Sequence, residues 1–120
     1  MPSGDRGAVT VETAIALFGL VAVLGLTLAG ITAVADQLRC TDAAREAARL
    51  VARGESGAVR GAIRRIAPEH ARWAVRWDGE GTTVTVFADA GMLPGLRLRG
   101  EAFAIPEPGV RPPQGAMSGR

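Results

Sequence analysis

The sequence predicts an α+β protein. A single N-terminal transmembrane helix continues into a long amphipathic helix, and a small domain follows with one short helix and a two- or three-stranded antiparallel sheet. Three observations predict this. Residues 13–35 form a run of 23 without a charge, eleven of them Leu, Ile, Val or Phe. The helical period then persists through Arg53, and near Trp73 it gives way to a period of two. Only five of the 120 residues are aromatic, so the domain beyond the run must build its core from small and β-branched side chains.

Residues 1–7, polar and containing Gly and Pro, read as an unstructured leader. Residues 8–35 read as the span: the uncharged run alone makes about 34 Å of helix against about 30 Å of hydrocarbon. Residues 36–54 continue the helix outside the membrane. Cys40, Ala44, Ala47 and Val51 share one face, and Arg39, Asp42, Glu46, Arg49 and Arg53 lie opposite. The pairs Asp42–Arg45 and Glu46–Arg49 stand at i,i+3, and Gly54 is a natural stop. Residues 55–105 read as a small α+β domain. Ser56 is the expected N-cap of a helix over 57–67, which Pro68 ends. Trp73, Val75 and Trp77 alternate with Arg72, Ala74 and Arg76 as a half-buried strand. Residues 78–81 make a turn, 82–88 a β-branched strand, and 96–105 a third strand. Residues 106–120, with four prolines, read as a disordered tail.

Composition excludes several functions. One Cys and one His cannot supply a Cys/His zinc site or an internal disulfide. About 70 residues beyond the run leave little room for an enzyme pocket, and a Cys40–His70 catalytic pair lacks an orienting third group. The expectation is a non-enzyme with no cofactor, no metal and no small-molecule substrate. The net charge is only +2 despite 14 arginines, so nucleic acid is not an expected partner.

Three readings of the apolar run are open from the residues alone. Ala33-Val34-Ala35 fits a secretory cleavage pattern, but an apolar region of about 7–15 residues is usual there and this run is longer. A plain single-pass anchor asks nothing of the leader or of Glu12. The third reading uses both. Arg6-Gly7-Ala8-Val9-Thr10-Val11-Glu12, the apolar run, and then Gln37-Leu38-Arg39-Cys40-Thr41-Asp42-Ala43-Ala44-Arg45-Glu46-Ala47-Ala48-Arg49 resemble the TadE-like minor pilins (pseudopilins) of the tight-adherence, Flp-type, type IV pilus system. The resemblance covers residues 5–53. It departs at Thr13, where such pilins often carry an aromatic residue.

The resemblance implies cleavage by a prepilin peptidase between Gly7 and Ala8, with Glu12 as the recognition and assembly residue. It implies partners among other pilin and minor pilin subunits and the pilus assembly platform. It also implies a place in the cytoplasmic (inner) membrane, N-terminus inside and domain outside, with incorporation into a surface pilus. The charges oppose that orientation. Arg39, Arg45, Arg49 and Arg53 follow the span and only Arg6 precedes it, an asymmetry that would itself keep the domain inside.

Independently of family, Gly25, Ala29 and Ala33 fall on one helix face and are candidate helix-packing residues. Cys40 is either a candidate intermolecular thiol or a small apolar packing residue. The arginines at 60, 64, 65, 72 and 76, with Trp73 and Trp77, offer a surface for lipid headgroups or polyanions. The alternation instead predicts both indoles in the core.

Overall fold

The computed structural model describes residues 3–120. Its fold is α+β: one long apolar helix, one short helix and an antiparallel sheet. The chain divides into two compact units, Met1–Thr32 and Ala33–Arg120.

Helix α1 runs Ser3–Ala52 without a break. It begins earlier than the leader reading expects, because from Ser3 no proline interrupts the i→i−4 ladder and Asp5 sits in the first turn, where the helix dipole favours an acid. From Thr13 to the end of the first unit its surface is uncharged and largely apolar: Ile15, Phe18, Leu20, Val23, Leu26 and Ile31 are each more than half exposed. Lipid is a solvent suited to such a rod. Polar groups within the rod are satisfied locally. The hydroxyls of Thr10, Thr13 and Thr27 each donate to the carbonyl four residues back, all at 2.8 Å. By length and composition α1 can cross a membrane.

In the second unit α1 becomes one-sided. Cys40, Ala43, Ala44, Ala47, Ala48 and Val51 are buried. The far side carries three surface i,i+3 ion pairs, Asp36–Arg39, Asp42–Arg45 and Glu46–Arg49, each at 3.8 Å. Pairs this open to water contribute about 0–1 kcal/mol. The helix ends in a Schellman cap: Gly54 N–H donates to Val51 O (3.0 Å) and Glu55 N–H to Leu50 O (2.8 Å), with Gly54 at φ +81°.

The next helix is shorter than its sequence pattern suggests. Ser56–Ala58 forms a 3₁₀ turn and α2 occupies Val59–Ile66, burying Val59, Ala62 and Ile63. Ser56 begins the 3₁₀ turn instead of capping a helix, and no side-chain cap bond is present at either start.

Strands β1 (Arg72–Trp77), β2 (Thr82–Asp89), β3 (Arg97–Ala104) and β4 (Met117–Gly119) form one antiparallel sheet in the order β3-β2-β1-β4. Its inner face is Trp73, Val75, Val84, Val86, Ala88 and Leu98, all buried in the core shared with the helices. Trp73 enters the core as the alternation requires, while Trp77, at the end of β1 beside the turn, is only half-buried. The fourth strand corrects the reading of the tail as wholly disordered. Met117–Gly119 pairs with β1 at Val75, Ala74 and Trp73. A side chain at Gly119 would strike the Trp73 indole at 2.8–2.9 Å, so a residue without one closes this edge.

Asp78 fixes the β1–β2 turn, accepting the N–H of Gly81 (2.9 Å) and of Glu80 (3.2 Å). These bonds hold its carboxyl below the ordinary value of 3.8, the Gly81 bond first and the Glu80 bond second. A depressed carboxylate adds stability above its unfolded pKa and loses it as pH falls through the folded one. Acid titration of the wild type should therefore show a steeper loss of stability below about pH 4 than that of Asp78→Asn, read by circular dichroism.

Candidate functional site

The residues singled out by sequence lie in three places along α1, and the structure treats them differently. Gly7, Ala8 and Glu12 are exposed helical residues. Ala8 and Glu12 are one helical turn apart, on the same side of the helix. Among the described residues Glu12 has no ion-pair partner within the chain. A methyl group at Gly7 would meet nothing within 4 Å, and its φ is not left-handed. Nothing in the folded chain requires glycine there, and glycine in a helix costs about 1 kcal/mol against alanine.

The small-residue face divides. Gly25 is exposed, and a methyl there would also meet nothing. Ala29 is 6% exposed and Ala33 8%, and Ala33 belongs to the core of the second unit. Ala33 is occupied within its own chain, because the sheet domain packs on this end of the helix.

Cys40 is fully buried, and its carbonyl lies against Gly100. Burial pushes its thiol above the ordinary 9.0, and the Asp36 carboxylate adds to the shift. In the folded chain it packs as a small apolar residue, the second of the two roles its position offers. Iodoacetamide at pH 8 should leave Cys40 unmodified in the folded protein and alkylate it fully in denaturant, as read by mass.

Sequence reasoning missed the clamp between α1 and the sheet. Gln37 Nε2 donates to Arg99 O (2.8 Å), and Arg99 N–H donates to Gln37 Oε1 (3.2 Å). The amide thereby supplies the pairing that edge strand β3 lacks at Arg99. One residue on, Gly100 lets β3 rest on the α1 backbone at Cys40 and Thr41. Only the glycine, interrupting the alternating pattern of β3, is a visible signal. Outside this contact, Arg99 pairs with Glu101 and its guanidinium lies 5.7 Å from the centre of the Phe87 ring. Arg72, Arg97, Arg99 and Asp89 line a cavity of about 600 Å³ at the same end of the sheet. No cluster of His, Cys, Asp and Glu suited to a metal ion occurs among the described residues.

Fold and composition define a small α+β domain carried on one candidate membrane helix. No family model matches the chain, and no solved structure matches it. It is 49% identical over 105 residues to a protein of Mycobacterium tuberculosis (strain ATCC 25618 / H37Rv) named apoptosis inhibitor Rv3655c. The match covers 85% of this chain and 84% of that protein. The chain belongs to the family of Rv3655c.

Proposed function

We propose that the protein is a TadE-like minor pilin, processed after Gly7, that takes part in initiating or assembling a Flp-type pilus at the cell membrane. The observation that carries this reading is the exposed Gly7-Ala8 junction placed one turn before Glu12 on an unbroken apolar helix. Gly7 has no packing or backbone role in the chain, which supports recognition by another protein such as a prepilin peptidase. On this reading the protein is not an enzyme. Its partners are the peptidase, other pilin subunits and the assembly platform, and its domain faces away from the cytoplasm.

The test is the N-terminal residue and mass of the protein recovered from membranes. Ala8 supports the reading. Met1 or Pro2 would leave a plain anchor, and Asp36 would mean a cleaved secretory signal; either overturns it.

A second reading follows from the relative's name: this chain too inhibits apoptosis. Expression in cells challenged with an apoptotic stimulus tests it, and undiminished caspase activation would count against it. A third, a membrane-anchored module for lipid headgroups or polyanions, is favoured by Arg72, Arg97 and Arg99 around one cavity. Their charge is partly offset by Asp89 and Glu101.

A further inference from the structure

We propose that the β2–β3 loop, residues 90–96, is a second membrane contact that dips into the interfacial layer of the bilayer beside the point where α1 leaves it. The proposal rests on α1 being a span, and not on the pilin reading.

The loop is Ala-Gly-Met-Leu-Pro-Gly-Leu, uncharged between Asp89 and Arg97. Met92 is 64% exposed and Leu96 44%, while Leu93 packs against the core that contains Ala33. Its backbone is closed on itself: Ala90 N–H donates to Leu96 O (2.9 Å), Leu93 N–H to Ala90 O (3.2 Å) and Leu96 N–H to Leu93 O (3.1 Å). The loop therefore presents apolar side chains from a backbone whose polar groups are partly satisfied, as an interfacial element must.

Three contacts fix which end of the domain it occupies. Along β3, Arg99 is held by Gln37 and Gly100 rests on Cys40 and Thr41. Beyond the strand, Glu107 N–H donates to Ala52 O (3.0 Å). β3 and the second-unit part of α1 thus run in the same direction, and the loop preceding β3 lies at the Ala33–Asp36 end. There the sequence passes from uncharged to charged, so this end meets the bilayer boundary. The β1–β2 turn, with Glu80 in it, lies at the opposite end of the sheet. Charge does not select the occupant. Arg39, Arg72, Arg97 and Arg99 around this end are countered by Asp36, Glu69, Asp89 and Glu101. Exposed apolar side chains at the end of the domain where the uncharged run stops point to the bilayer itself.

The test uses the full chain in phosphatidylcholine vesicles, with single cysteines at Pro94→Cys, Glu80→Cys or Leu24→Cys in a Cys40→Ala background. Each carries an environment-sensitive fluorophore, and far-UV circular dichroism confirms folding. The expected result at Pro94 is a blue-shifted emission quenched more by lipids labelled near the headgroup than by lipids labelled mid-chain. Leu24 should show the reverse preference, and Glu80 should be quenched by neither. A Pro94 signal equal to that of Glu80, with Leu24 still quenched, overturns the loop contact and leaves the span standing. Loss of quenching at Leu24 overturns both.

Discussion

Gly100→Ala is expected to cost the second unit more stability than adding a methyl group at an open glycine such as Gly57 or Gly61. The added Cβ would fall onto the carbonyl group of Cys40 and within 2.5 Å of Thr41 N. These are backbone atoms of a helix, so no side chain can swing aside. Either β3 lifts off α1, breaking the Gln37 clamp, or the helix shifts and opens the Ala43–Ala47 seam. Overpacking costs typically about 1–3 kcal/mol, and this site belongs at the top of that range. In a domain of this size that lowers the melting temperature by on the order of 10–20 °C. Thermal unfolding of Gly100→Ala beside Gly61→Ala checks it: a methyl at Gly61 would meet nothing within 4 Å, and alanine should help that helix. Equal melting temperatures for the two variants would mean that strand and helix are not in contact.

Glu12→Ala is expected, on the proposed pilin reading, to abolish pilus assembly while leaving membrane insertion intact. Cleavage after Gly7 would place an ammonium at Ala8, and a charge left unpaired at mid-membrane costs about 2.5–3.5 kcal/mol. Without the Glu12 carboxylate, docking into a subunit array should weaken on the order of a hundredfold. Insertion depends on the apolar run, which the variant lengthens. Sheared surface fractions should lose filaments while the membrane fraction keeps the protein, and Glu12→Asp should restore part of the assembly. Unchanged filaments in Glu12→Ala would remove the carboxylate from the mechanism.

These two sites differ in how legible they are. Glu12 stands out in the sequence because it is the last charged residue before the 23-residue uncharged run begins. Gly100 carries no comparable mark. It is one of 16 glycines, and its break in the alternation of β3 marks a close approach without saying to what. Gln37 is equally silent, because its role depends on an edge strand 62 residues away. Strand β4 is hidden for a related reason. Met117-Ser118-Gly119 has little intrinsic strand preference in a tail rich in Pro and Gly, and it pairs only because β1 offers a free edge beside Trp73.

Whatever depends on near neighbours along the chain is readable without a structure. That holds for the apolar helix, its amphipathic continuation, the stop at Gly54, the β1–β2 turn at Asp78 and the inward face of β1, because period and turn chemistry are local. Long-range packing sets the rest: where the sheet sits on α1, which end of the domain the 90–96 loop occupies, and that Ala33 and Cys40 are consumed by the chain's own core. Those outcomes rest on contacts between residues far apart in sequence, where close approach follows from the shapes of two surfaces and leaves no periodic trace in either segment.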